Sequence, residues 1–446
     1  MYKKRPRRGA TCYGWEKGLG MSDLVLVRGA RQLLTLHGPC EPRRGSALGE
    51  LGLIRDGALL LEDGRIVEVG LSRRVENLVR ARKAREIDAT GRVVMPGFVD
   101  CHTHLISGTP QLEDYETRAA GAGTPAPAGL ACNAVRQWSA RRLEVRARQF
   151  VSGMVRHGTT TLEAKSGYGL DETGELKILR VQAKLHEKPL DVVSTFLCPR
   201  SVPAAYQGGA EAYLSWICSE LLPKIRSKGS AHFVDFVCDE PAFSPAQSRQ
   251  YLETARALGF PLKVHAGQFG GHAGVQLAVD QNAVSADHLN YADRNDVELL
   301  ARSSTVAVLM PGSPFYLGCD RYPPARALID EGAAVALATN FNPRTCPTYS
   351  MQMVLALACT RMRMRPAEAL CAATFNAACA IGCQRRAGSL EVGKAGDLIV
   401  LNAADYREIP YHFGVNLVRM TVKRGAIVYQ EGAVCGPAAY RGFRSQ

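Results

Sequence analysis

The sequence predicts an α/β protein: a (β/α)8 barrel of the TIM type with a small β-sandwich domain built from both chain ends. Three observations predict it. Between residues 96 and 384 eight short apolar runs recur, each followed by a longer stretch with helical spacing of its apolar residues. Those runs are too apolar for a sheet with one wet face, so they belong to a parallel sheet covered on both sides. The flanking segments, residues 21–95 and 385–432, have a different texture, of short strands and glycine turns. With 446 residues, 46% of them hydrophobic and 22% charged, the chain accommodates one large and one smaller domain. The same composition excludes disordered, collagen-like and mini-protein classes.

Residues 1–20 carry Lys3, Lys4, Arg5, Arg7, Arg8 and Lys17 against Glu16 alone. They read as a basic, disordered tail, and Met21 opens the first strand-like run, MSDLVLVRGARQLLTL. The tail lacks the apolar segment of a secretory signal, and no run approaches the ~20 apolar residues of a membrane span, so a cytoplasmic protein with no membrane contact is expected. In ALLLEDGRIVEVG, Asp63-Gly64 between two strand-like segments predicts a hairpin. The far end repeats that signature in GSLEVGKAGDLIVL, Gly388 to Leu401, and in LVRMTVKRGAIVYQEG.

The eight runs of the middle are GFVDCHTH (97–104), TTTLEAK (159–165), VVSTFL (192–197), FVDFVCD (233–239), PLKVHA (261–266), AVSADH (283–288), TVAVLM (305–310) and AAVALAT (333–339). Between them, DETGELKILRVQAKLHEK and SPAQSRQYLETARALG have helical spacing, the second opening on a serine cap. An open doubly wound sheet is the alternative, disfavoured by the count of eight and by the lack of a GxGxxG turn after the first strand.

The net charge of +13 permits contact with a polyanion, yet no nucleic-acid-binding motif and no interleaving of basic and aromatic residues accompanies it. A solvated basic surface is the reading, with no nucleic acid as partner. The 14 cysteines show no CxxC pair and read as reduced, mostly buried thiols, Cys238 and Cys346 included.

In such a barrel, function collects at the C-terminal ends of the strands. Four of the ten histidines lie there: His102 and His104 at the first, His265 at the fifth and His288 at the sixth. Residues two apart in a strand point the same way, so His102 and His104 are expected to aim both imidazoles at one point. Three neutral imidazoles would leave a metal's charge largely uncompensated and acidify a bound water, which points to hydrolysis. Either zinc or iron suits three histidines. A base beside that water is usually a carboxylate, but the eighth strand ends on Asn340, whose amide accepts no proton at ordinary pH. His288 is the nearest substitute. Glu163 and Lys165 can reach the barrel interior and are read as packing or supporting residues, while His157, His186, His232 and His272 lie away from the strand ends.

The motifs PGFVDCHTH and GSLEVGKAGDLIVL resemble the amidohydrolase superfamily. More narrowly, EAKSGYGLDETGELKILRV, SVP, VDFVCDEPAFS, KVHAGQF and FNPRTCPTYSMQMVLALAC resemble the imidazolonepropionase family of histidine degradation, from about residue 21 to 430. The resemblance implies one metal ion held at His102, His104 and His265, with Asn340 where the family has an Asp. It places Gln268, a Glu or Gln in the family, and His288 in catalysis, and Tyr168 and Asn342 on the substrate. It also implies a homodimer and the hydrolysis of 4-imidazolone-5-propanoate to N-formimino-L-glutamate.

The substrate half departs from the family. Gln111 stands where an arginine pairs with the propionate carboxylate, so that charge-assisted fork is gone. Arg200 replaces the His before SVP, Arg344 the Gly after FNP with Thr345 beside it, and AGTPAPAGLACN a Gly-rich segment. One arginine is lost and two are gained around the expected pocket, which implies an altered, still acidic substrate held by Arg200 and Arg344. The alternative is a catalytically impaired paralogue that binds a small anion or a protein partner, motivated by the joint loss at Asn340 and Gln111.

Overall fold

The computed structural model describes residues 23–121, 129–199, 202–203, 206–238, 243–270 and 273–432. The basic tail 1–20, Arg200, His272 and most of the segment after Gly121 lie outside the described residues.

Five strands precede the barrel: β1 (Leu24–Leu34), β2 (Leu53–Glu62), β3 (Arg65–Leu71), β4 (Arg85–Asp88) and β5 (Val93–Pro96). The barrel strands are β6 (Phe98–Thr103), β7 (Thr159–Lys165), β8 (Asp191–Leu197), β9 (Phe233–Val237), β10 (Leu262–Ala266), β11 (Ser285–His288), β12 (Val306–Leu309) and β13 (Val335–Leu337). After them come β14 (Leu398–Leu401), β15 (Val418–Lys423) and β16 (Ala426–Gln430). Each of the eight apolar runs of the middle contains one barrel strand.

Strands from both chain ends join one sheet in the order β16-β15-β14-β5-β1-β2-β3, with β4 beside the first half of β1. The turn at Asp63 and Gly64, φ 49° and 76°, closes the β2–β3 hairpin with Glu62 opposite Arg65. Both residues are left-handed, as a two-residue hairpin turn of the right twist demands. The two layers of the expected sandwich are continuous. The sheet folds over so that Leu59 and Leu61 of β2 share a core with Leu398 and Val400 of β14 and Val422 of β15. A Cβ on Gly64 would meet the Arg424 carbonyl at 2.8 Å, because the two hairpin turns touch there.

The barrel strands run parallel in chain order from β6 to β13, and every one of their residues is buried. Burial on both faces is what the continuous apolar runs require. Helices capped as the sequence indicates cover the outside. Ser244 and Gln247 form a reciprocal capping box on Pro245–Ala257, and Asp171 accepts from Gly174 N at the start of Glu172–Leu185. Each cap contributes about 1 kcal/mol. The second half of the motif FNPRTCPTYSMQMVLALAC lies in the helix Met351–Met362, largely buried.

Closure between β13 and β6 is made by the residues at and just beyond their ends. Asn340 N donates to His102 O (3.0 Å), His104 N to Phe341 O (2.9 Å), and Thr339 gives both its N–H and its hydroxyl to Asp100. The seam of the barrel therefore draws the end of the first strand and the end of the eighth together. Among the described residues no helix is long and apolar enough to cross a membrane.

Candidate metal centre

Histidines from three strands meet at the C-terminal end of the barrel. The ring centres of His102 and His265 are 4.6 Å apart, those of His102 and His288 5.3 Å, and those of His265 and His288 5.1 Å. Each offers a ring nitrogen within 4.8 Å of the others, and all three residues are buried. His104 stands slightly apart, its ring 5.4 Å from His102 and 6.2 Å from His265, edge-on to Tyr168 at 5.6 Å. The reason is local: β6 ends at Thr103, and the seam bond to Phe341 takes the next residue out of the strand. Side-chain alternation holds only while the strand continues.

The first two histidines are held from behind. His102 Nδ1 lies 2.6 Å from Asp287 Oδ2, and Ser285 Oγ donates to the other oxygen of that carboxylate. His265 Nδ1 lies 3.1 Å from Asp235 Oδ1. Burial, then the charges of Lys165 and the neighbouring imidazoles, hold His102 well below the ordinary histidine range, so its ring is neutral. Burial pushes the Asp287 carboxyl up, but Lys165, Lys263 and His265 together outweigh it and keep it ionised. A neutral ring beside an ionised carboxylate donates from Nδ1 and leaves the Nε2 lone pair for an ion. His102 Nε2 is buried and has no hydrogen-bond partner among the described residues. The donors present fit a metal ion held by imidazole nitrogens.

A pocket adjoins the site through His104 and is lined also by Cys132, Gly167, Tyr168, Leu170, Leu197, Gln268, Asn340, Asn342, Arg344 and Thr345. No Asp or Glu lines it among the described residues. Asn340 Nδ2 donates to Ser313 Oγ at 2.7 Å, leaving Oδ1 as the end able to meet a cation. Asn342 is spent on its own loop: Oδ1 accepts from Arg344 N and Thr345 N, while Nδ2 donates to Asn340 O and Thr345 Oγ1. Arg344 is thereby carried to the pocket on a short, cross-braced turn. Two site residues sit in left-handed backbone, His288 at φ 85° and Asn340 at φ 55°. Such strain persists only where surrounding structure over-determines it, as at a functional site.

Gln111 lies elsewhere. It precedes the helix Leu112–Ala119, is 6% exposed, does not line the pocket, and both polar atoms of its amide lack partners among the described residues. Cys346 is an inert thiol, pushed up to about 12 by burial. The described cysteines are free, and Cys132 faces the pocket unanticipated by spacing or motif. Sequence reasoning also missed Asp235 and Asp287. Their signal was present, since each is an acid inside an apolar run, Asp287 immediately before His288 and Asp235 on the run preceding the one that carries His265.

Comparison with known proteins agrees with this architecture. Sequence models of the amidohydrolase family match residues 239–428 and 85–154. An imidazolonepropionase from Symbiobacterium thermophilum is 41% identical over 421 residues, 92% of this chain and 98% of that one. Another from Geobacillus thermodenitrificans is 40% identical over 423 residues, 92% and 99% of the two chains. Among solved structures, a zinc-bound adenosine deaminase from Xanthomonas campestris superposes with a TM-score of 0.65 at 17% identity, covering 90% of this chain and 92% of that one. Guanine deaminase from E. coli superposes at 0.68 and 17% identity, covering 91% and 99%. At that identity the two structures speak for the fold alone. Strand-end histidines buried around one point, on a barrel of this seam and with relatives of this similarity, lead to one conclusion: the chain belongs to the imidazolonepropionase family of metal-dependent amidohydrolases.

Proposed function

We propose that the protein uses one metal ion, zinc or iron, to hydrolyse the C–N bond of a cyclic amide whose side chain is acidic, a compound of the 4-imidazolone-5-propanoate type. The observation that carries this reading is the meeting of ring nitrogens from His102, His265 and His288 within 4.8 Å, next to a pocket that His104, Asn340 and, among the described residues, the cation Arg344 line. His102 and His265, with His104 and the Asn340 carbonyl oxygen at the pocket side, are the residues that would hold the ion. A bound metal ion supplies Lewis acidity and a water that is nucleophilic near neutral pH.

The rest is the work of this chain's side chains. His288 holds the proton taken from the attacking water at a ring nitrogen and returns it to the departing ring nitrogen of the substrate. Tyr168 and Gln268 orient the cyclic amide through its carbonyl and N–H. Arg344 receives the carboxylate, while Asn342 and Thr345 brace the turn that presents it. Overall one water adds and one ring C–N bond opens.

The absence of Asp and Glu from the described lining favours a second reading, an impaired paralogue that keeps an anion-binding pocket. Metal analysis of the purified protein and an assay on the imidazolone acid separate the two. One metal per chain, with turnover abolished by a chelator, supports the hydrolase. Well under one metal per chain, with no turnover but saturable binding of the acid, overturns it in favour of the second.

A further inference from the structure

Beneath the histidines five ionisable side chains fill the barrel interior: Glu163 and Lys165 of β7, Asp235 of β9, Lys263 of β10 and Asp287 of β11, all fully buried. Charges so placed are costly unless each has a partner, so the pairing pattern is informative. Lys165 Nζ lies 2.6 Å from Asp235 Oδ2, 3.1 Å from Glu163 Oε2 and 3.4 Å from Asp287 Oδ2. Lys263 Nζ instead meets Glu163 at 2.8 Å and the Cys101 carbonyl at 3.3 Å. Thr195 donates to the remaining Glu163 oxygen. One ammonium group therefore bridges the two carboxylates that hold His102 and His265, and the other lysine touches neither of them.

We infer that Lys165 is a positioning residue for the metal site, acting through Asp235 and Asp287. Asp235, Asp287 and His265 offer donor atoms within 4.8 Å of one another, so the two carboxylates crowd the same volume. The ammonium between them offsets their repulsion and sets where each oxygen rests. Those oxygens set the rotation and the Nδ1–H tautomer of two rings that come from strands far apart in sequence. Lys165 thus makes one unit of two ligands that no direct bond connects. It also keeps an acceptor oxygen in place behind each imidazole, in a site whose strand-eight residue, Asn340, is neutral. The inference rests on the metal-dependent reading above.

The test compares Lys165→Met with Lys263→Met, two variants that each remove one buried ammonium from the same network. Zinc affinity is read by competition with a chromophoric chelator, the cobalt-substituted protein by its visible spectrum, and the metal-free protein by NMR of the histidine ring nitrogens. Lys165→Met is expected to weaken zinc binding about 10- to 100-fold, to change the cobalt spectrum, and to shift or remove the Nδ1–H resonances of His102 and His265. Lys263→Met, whose ammonium bonds neither ligand-holding carboxylate and acts on them only through space, is expected to weaken zinc binding clearly less than Lys165→Met. Equal losses in the two variants, or an unchanged cobalt spectrum in Lys165→Met, would overturn the inference. If either variant does not fold, the wild-type NMR decides: both rings as Nδ1–H tautomers is the expected result, and either ring protonated at Nε2 instead overturns it. Wild-type protein that binds no zinc defeats the metal-dependent reading, while the metal-free ring spectra still report on Lys165.

Discussion

At the scale of single residues, the site joins a strained backbone to a neutral side chain at the end of the eighth strand. Asn340 holds a left-handed backbone, φ 55°, that Asp adopts as readily, and its amide nitrogen bonds a serine hydroxyl that can itself donate to a carboxylate. Asn340→Asp is therefore expected to fold and to tighten metal binding, since an anionic ligand replaces a neutral one. Zinc affinity by chelator competition checks this: an affinity unchanged in Asn340→Asp would show that residue 340 does not meet the ion. Arg344 makes a separate prediction. A charge-assisted hydrogen bond to substrate is worth ~1.5–3 kcal/mol, so Arg344→Ala should raise KM for the acid by roughly 10- to 100-fold while KM for the corresponding carboxamide stays level. Equal effects on both substrates would remove Arg344 from carboxylate recognition.

At the scale of elements, the loop that presents Tyr168 is organised by a carboxylate from the helix after it. Glu175, fully buried, accepts from Gly167 N, Gly169 N and Leu170 N at 2.9, 2.7 and 3.1 Å. Burial pushes this carboxyl up, against the backbone bonds that favour its ionised form. The loop also needs glycine: a Cβ on Gly169 would sit 2.3 Å from Glu175 N. Glu175→Gln turns an amide donor toward at least one of those N–H groups, and leaving one unsatisfied costs ~1–3 kcal/mol. The expected result is a lower melting temperature and a KM increase, with zinc affinity unchanged because no metal-site histidine touches the loop carboxylate. The continuous β-type run TTTLEAK made the strand legible in the sequence, and the family resemblance carried by the SGYG run pointed to Tyr168. The role of Glu175 was hidden, because it depends on three backbone N–H groups converging in space, and no side-chain pattern encodes that.

Across the whole molecule, the folded-over sheet is fastened to the barrel by an ion-pair network centred on the buried Asp191. Lys423 of β15 reaches Asp191 of β8 at 3.0 Å and Asp397 at 2.6 Å, and Arg424 reaches Asp191 at 2.8 Å and Glu187 at 2.9 Å. Burial raises the Asp191 carboxyl, but Lys423, Arg386 and Arg424 outweigh it and hold it below the usual carboxylate value. A depressed folded-state pKa contributes stability above the unfolded value near 4 that is lost as pH falls through the folded value. Denaturant melts of Asp191→Asn are expected to show lower stability at neutral pH, because Lys423 and Arg424 each lose one of two carboxylate partners, and a shallower decline below pH 4 than the wild type. A decline of wild-type steepness would mean that other carboxylates carry the acid limb.

The sequence by itself determined the barrel, the hairpin at Asp63-Gly64, the helix caps and the collection of histidines at strand ends, because these follow from local period, turn chemistry and strand direction. It also carried the family, through motifs that survive along most of the chain. Only the tertiary structure decided which histidines crowd together, since His104 leaves β6 at the seam while His288 turns inward on a strained backbone. Only it revealed that Gln111 stands off the pocket and that Lys165 links the carboxylates behind two rings. These are contacts between residues tens to hundreds of positions apart, fixed by the closure and stagger of the barrel, and local patterning has no term for them.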